Sequence, residues 1–299
     1  MEKIPGVALS SVWRDIDLET KREQTKTIAG FVRQLRGLRH HFPAIGNLYF
    51  RDDIYVFNGT APVPSTKDVR YVIGPIVTPL MFEGGRKLQV QRNLGPYPTD
   101  AEYITALVAP ELEEMKLLLS GDAREYEDFD KYLAEDAEEI ISVLNELQPI
   151  SEVLFPSRHG EFNLHHHDLS LDDILVDPKT YEILSIVDWE SVGTRPHWED
   201  TYPLFLQGKN VEGKVEPLAP GETNDYRVER WENWEKMQLR PVFASELGEE
   251  VFGADDGEDE MRRGFMEKLK IVESSQKMVR DRIKMRPELA WLTSLSNYA

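Results

Sequence analysis

Cysteine is absent from the 299 residues. That excludes disulfides, thiolate nucleophiles and thiolate zinc sites together, and it suits a reducing compartment. Bases are scarce beside acids, 35 against 54, for a formal net charge of −19. A field of that sign repels phosphate backbones, so nucleic acid is not an expected partner. It favours a cationic small molecule or a metal–nucleotide complex instead. No run of about eighteen apolar residues occurs, so no membrane partner is expected. The opening Met1-Glu2-Lys3-Ile4-Pro5-Gly6 lacks a signal-peptide core, and Glu2 rules out N-myristoylation. A cytoplasmic location is expected. The pair Gly84-Gly85 lacks the GxGxxG or GxxxxGK spacing of a phosphate loop and reads as a hairpin turn.

What is present suits a folded chain: 40% of residues are apolar and 10% aromatic. We read residues 1–299 as one domain. Asp17 can cap a helix with Ile28, Phe31, Val32, Leu35 and Leu38 on one face, ending near residues 43–46. Tyr71-Val72-Ile73 and Lys87-Leu88-Gln89-Val90 are β-like. Thr99-x-x-Glu102 is a capping box with a helix to follow. A longer helix is expected over residues 126–147, with Phe129, Leu133, Ile140, Leu144 and Leu147 as its apolar stripe. Further helices should carry Trp231 and Trp234, then Phe265, Leu269 and Val272, and a last one should begin at Pro287. Residues 209–224 read as an exposed loop, and the acid-rich residues 248–260 as a mobile one that lacks the ligand alternation of a calcium loop.

One stretch carries chemistry: His165-His166-His167-Asp168-Leu169-Ser170-Leu171-Asp172-Asp173-Ile174-Leu175-Val176-Asp177. After a polar turn comes Ile183-Leu184-Ser185-Ile186-Val187-Asp188-Trp189-Glu190. This is a hairpin with acids at its outer ends: Asp168 and Asp173 before the first strand, Asp188 after the second. Antiparallel strands return those ends to one place. Three carboxylates gathered there repel unless a cation lies between them, and Mg²⁺ is the natural partner for oxygen ligands. Three neighbouring histidines cannot share one metal, because adjacent side chains diverge. A zinc hydrolase built on His167 has no HExxH spacing behind it. One histidine is expected buried and hydrogen-bonded, the others facing solvent.

The pattern His166-x-Asp168-x-x-x-x-Asp173, followed by Asp188-Trp189-Glu190, resembles the signature of the aminoglycoside phosphotransferase family. That family has a protein-kinase-like fold. The stretches Phe42-Pro43-Ala44-Ile45-Gly46-Asn47-Leu48-Tyr49-Phe50 and Val187 to Pro196 are similar to its fungal members. The resemblance implies a fold that is mainly α with small β-hairpins (α+β), the protein-kinase-like C-terminal lobe. It implies ATP and Mg²⁺ as cofactors and a small-molecule hydroxyl as acceptor, with a cationic substrate suiting the charge. Asp168 would be the catalytic base, and Asp173 and Asp188 the metal ligands. His166 would brace the loop and Asp200 would anchor it. Glu2 and Lys3 would lie in a hinge-like start at residues 1–6 whose backbone meets adenine. The oligomeric state is not legible.

Departures from the family pattern at position 173 and in the upper lobe matter. Position 173 is Asp where the family has Asn, which removes an N–H donor and adds a negative charge. On this ground Asp173→Asn is expected to raise any phosphotransferase rate. Position 167 is His where the pattern has Gly. The strands and lysine of the family's upper lobe are also expected to be missing here. A catalytically inactive, pseudokinase-type binding module is therefore the alternative.

Overall fold

The computed structural model describes residues 4–37, 42–54, 62–64, 70–77, 93–120, 131–155, 162–199, 201–219, 221–248 and 258–273. In chain order the strands are β1 (Val7–Ala8), β2 (Gly46–Phe50), β3 (Val63–Pro64), β4 (Tyr71–Gly74), β5 (Asn163–His165), β6 (Ile174–Val176), β7 (Ile183–Ile186) and β8 (Gly193–Arg195). The helices are α1 (Leu18–Arg36), α2 (Asp100–Ser120), α3 (Lys131–Leu154), α4 (Asp225–Leu247) and α5 (Glu258–Glu273). The fold is thus α+β, with antiparallel sheet. The single domain expected over 1–299 divides into two compact units. The first holds residues 1–39, 163–192 and 200–254, the second residues 40–162, 193–199 and 255–299.

In the first unit α1 packs against α4. Asp17 caps α1 as its sequence suggests: its Oδ1 accepts the Thr20 N–H at 2.7 Å. The helix ends at Arg36 with Gly37 as its C-cap, short of residues 43–46; Gly37 N–H donates to Arg33 O at 2.9 Å. Ile28 and Ala29 of α1 meet Leu239, Phe243 and Leu247 of α4 in a core completed by Leu9, Ile174 and Phe205. Within this core Lys21 Nζ reaches both carboxylate oxygens of Glu235, at 2.7 and 2.8 Å. A three-stranded sheet, β1-β6-β7, lies in the same unit. Its strand β1 pairs Val7 with Val176 and Ala8 with Leu175.

In the second unit β4 lies between β3 and β2, and β8 pairs with β2. The β2–β8 pairing sets Gly46 opposite Thr194 and Asn47 opposite Gly193. Thr194 Oγ1 donates to Ala44 O at 2.6 Å and accepts Gly46 N–H at 3.1 Å. The two stretches that carry the resemblance beyond the 165–177 segment therefore meet here in one sheet. Gly46 is required by closeness, since a Cβ there would lie 2.3 Å from Gly74 O. Thr99 Oγ1 accepts Glu102 N–H at 3.2 Å, as a capping box should, and α2 follows.

Helix α3 runs past the expected residue 147, through Pro149, to Leu154. A proline inside a helix costs about 3 kcal/mol. Burial of Leu147, Ile150 and Leu154 on both sides of it offsets that cost. Phe155 packs its ring against Trp198 at 5.0 Å and Phe265 at 5.2 Å, fastening α3 to α5. Of the stretch read as an acidic loop over 248–260, Glu258, Asp259 and Glu260 instead form the first turn of α5, and residues 249–257 lie outside the described residues. Helix α4 starts at Asp225, well before Trp231, with Asn224 Oδ1 accepting Arg227 N–H at 3.0 Å. Residues 126–130, Lys87 to Val90, Gly84-Gly85 and Pro287 onward lie outside the described residues. Among the described residues no helix is long and apolar enough to cross a membrane.

Candidate functional site

The hairpin forms in the first unit as its sequence reads. Strands β6 and β7 pair Ile174 with Ile186 and Leu175 with Ser185. Asp177 builds the turn: its Oδ1 accepts the N–H groups of Lys179 at 2.8 Å and Thr180 at 2.9 Å. These backbone donors, Thr180 first, hold its carboxyl below the usual 3.8. At the open end Val187 N–H donates to Asp173 O at 2.8 Å. The residue before Asp188 is thereby tied to Asp173.

The loop leading into β6 is fastened at almost every residue. Asp168 N–H donates to His166 O at 2.7 Å, and Leu204 N–H to Leu169 O at 3.2 Å. Ser170 gives both its N–H (2.8 Å) and its Oγ–H (2.7 Å) to Asp173 Oδ2. Asp172 N–H donates to Ser170 Oγ at 3.1 Å. Ser10 N–H donates to Leu171 O at 3.1 Å, and the Ser10 hydroxyl to Asp172 Oδ1. A loop so pinned presents its remaining groups in fixed positions.

The histidine triplet divides only in part as expected: one is buried and one exposed, but His165 is half-buried rather than facing solvent. His166 is buried, and its Nε2 lies 2.8 Å from Val187 O. That acceptor requires a proton on Nε2. The ring of His166 meets Trp189 edge to face at 4.7 Å, and Trp189 Nε1–H donates to Ile186 O at 2.8 Å. His166 therefore braces the segment that leads into Asp188. His167 is exposed, with φ of 61°, and its ring stacks on that of His165 at 5.8 Å. A glycine at this position, as in the family pattern, would meet that φ without strain.

Of the three expected site carboxylates, Asp168 and Asp188 are exposed and Asp173 is half-buried. Asp188 takes φ 64° and ψ 51°, a left-handed conformation that aspartate tolerates better than most residues. Among the described residues no group of three or more His, Asp or Glu side chains is arranged to hold a metal. The convergence of three carboxylates expected from the hairpin is thus not what forms: Asp173 turns one oxygen to Ser170 instead. Asp173 and Asp188, at paired chain ends, remain a donor set that fits Mg²⁺, which commonly takes one or two carboxylates beside phosphate oxygens and water. Glu2, Lys3 and Asp200 lie outside the described residues.

Sequence reasoning missed Ser170 and Ser10. The Ser170-x-x-Asp173 spacing, that of a serine turn closed on an acid, was the available signal for the first. It also missed a cavity of 310 Å³ in this unit, where Phe31, Val32 and Leu35 of α1 face Leu169, Ile186 and Trp189.

No family model matches the chain, and no solved structure does. Two curated relatives are similar to it. Both are described as subtelomeric hrmA-associated cluster proteins of Aspergillus fumigatus, one from strain CBS 144.89 and one from strain ATCC MYA-4609. Each is 23% identical over 289 residues, covering 86% of this chain and 54% of the relative. The chain spans about half the length of the curated relatives it matches.

Proposed function

We propose that this chain carries the site of an ATP- and Mg²⁺-dependent O-phosphotransferase, with the kinase-like lobe that the resemblance implies and a small hydroxylated molecule as acceptor. The observation that carries the reading is the fastened loop from His166 to Asp173. Its backbone and serine donors are spent on holding the loop, while the Asp168 carboxylate stays exposed. Asp168 orients the acceptor hydroxyl and takes its proton as the oxygen bonds to the γ-phosphorus of ATP and the bond from that phosphorus to the β–γ bridging oxygen breaks, releasing ADP. Asp173 and Asp188 would hold Mg²⁺, which when bound supplies charge neutralisation on the phosphate oxygens. His166, through Val187 O, keeps Asp188 in register with the loop.

The test is Mg²⁺-dependent ADP formation from ATP by the full chain, with a panel of hydroxylated amines as acceptors. Asp168→Asn should lower the rate at least about a hundredfold, the usual contribution of a positioned base, with an unchanged melting temperature. A rate indifferent to that substitution would remove Asp168 from the chemistry. A second reading, the non-catalytic binding module, is favoured by the carboxylate at position 173. Binding of Mg²⁺–ATP without any turnover would support it.

A further inference from the structure

We propose that Ser170 is a positioning residue for Asp173: it holds Oδ2, so that Oδ1 is the one oxygen Asp173 offers to a divalent cation. The proposal rests on the reading of Asp173 and Asp188 as the metal ligands.

The geometry is local and specific. Ser170 N–H and Oγ–H both end on Asp173 Oδ2, at 2.8 and 2.7 Å. Asp172 N–H, 3.1 Å from Ser170 Oγ, occupies a lone pair there and leaves the hydroxyl proton to Asp173. The Ser10 hydroxyl engages the Asp172 carboxylate, which draws that acid away from Ser170. Val187 N–H fixes the Asp173 carbonyl at 2.8 Å. Backbone and one carboxylate oxygen are both committed, and among the described residues Oδ1 takes no hydrogen bond.

An ionised carboxylate offers two oxygens, an amide one. With Oδ2 held by two donors, Asp173 works as a single-oxygen ligand, as the asparagine of the family pattern does. The loop thereby accommodates the departure at position 173. For metal binding, Asp173→Asn is then unfavourable. An asparagine in this loop has one oxygen for two claimants, the Ser170 donors and the cation. It should bind metal more weakly.

The experiment is titration of the full chain with Mn²⁺ alone, following free Mn²⁺ by electron paramagnetic resonance, with the melting temperature of each variant recorded beside it. Ser170→Ala should weaken Mn²⁺ binding by about tenfold, in the range typical for residues that orient ligands. Ser170→Thr, which keeps both donors, should stay within about twofold of wild type on the same scale. In an Asp173→Ala background Ser170→Ala should have no further effect. Asp173→Asn should also weaken binding. Unchanged affinity in Ser170→Ala, an equal loss in the Asp173→Ala background, or tighter binding by Asp173→Asn would each overturn the positioning role while leaving the ligands in place. Failure of the wild-type chain to bind Mn²⁺ would overturn the ligand reading itself, and the positioning role with it.

Discussion

Lys21→Met offers a sharp test of how the first unit is held. The Lys21 ammonium sits 2.7 Å from one Glu235 oxygen, with side chains only 4% and 11% exposed. Its Nζ also lies 5.4 Å from the centre of the Trp13 ring. Methionine keeps the length and apolar stem of lysine but removes the charge. Glu235 is then left as a buried carboxylate without its cation. Breaking a buried pair from one side costs about 3–5 kcal/mol, because the surviving charge stays desolvated. At about 2–4 °C per kcal/mol for a unit of this size, the melting temperature should fall by roughly 6–20 °C. The double variant Lys21→Met/Glu235→Leu removes both charges and should recover most of the loss, since apolar replacement of a whole buried pair is often neutral. Urea unfolding followed by tryptophan fluorescence would read Lys21→Met, Glu235→Leu and the double variant, with Trp13 beside the pair as reporter. A single variant within about 1 kcal/mol of wild type, below the range for a truly buried pair, would refute the argument. So would a double variant as unstable as the sum of the singles.

His167→Gly should stabilise the chain by about 0.5–1 kcal/mol, relief of a left-handed side-chain conformation outweighing the entropy that glycine loses on folding; a lower urea midpoint would contradict the strain seen at φ 61°. Acid should weaken the first unit in a defined direction. The Thr20 N–H holds the Asp17 carboxyl below its ordinary 3.8, as the Thr180 and Lys179 N–H groups hold that of Asp177. A carboxyl depressed by folding stabilises above its unfolded value and loses that contribution as pH falls through the folded one. The stability margin of wild type over the double variant Asp17→Asn/Asp177→Asn should therefore be constant near neutral pH and shrink below about 4. A margin independent of pH would count against both hydrogen-bonded carboxylates.

Local signals in this sequence were legible and distant ones were not. The Asp17 cap, the Thr99 box and the β6–β7 hairpin each rest on residues within a few positions of one another, where periodicity and turn chemistry act. Strand β1 was invisible because two residues carry no period, and its partner β6 lies far along the chain. The β2–β8 pairing has the same character: neither Gly46 nor Thr194 announces the other. Helix α3 runs past residue 147 and through Pro149 because the burial that offsets the proline is tertiary and leaves no local signal. The two-unit division depends on which segments touch, and each unit is assembled from pieces far apart in sequence.

At the candidate site the sequence showed the acids but not their division of labour. Asp168, Asp172, Asp173 and Asp188 crowd one loop and the strand end tied to it, and four like charges there would repel if all were treated alike. The loop sorts them. Asp172 is engaged by the Ser10 hydroxyl, and one oxygen of Asp173 by Ser170. Asp168 and Asp188 remain exposed, one on the pinned loop and one just past Val187. Hydroxyl and backbone donors thus do, for two of the acids, what a cation would otherwise have to do for all four. On the proposed reading, Asp172, which has neither role, is satisfied by Ser10, and Asp173 keeps only Oδ1 for a metal, so one base and one metal can share the loop without three converging carboxylates.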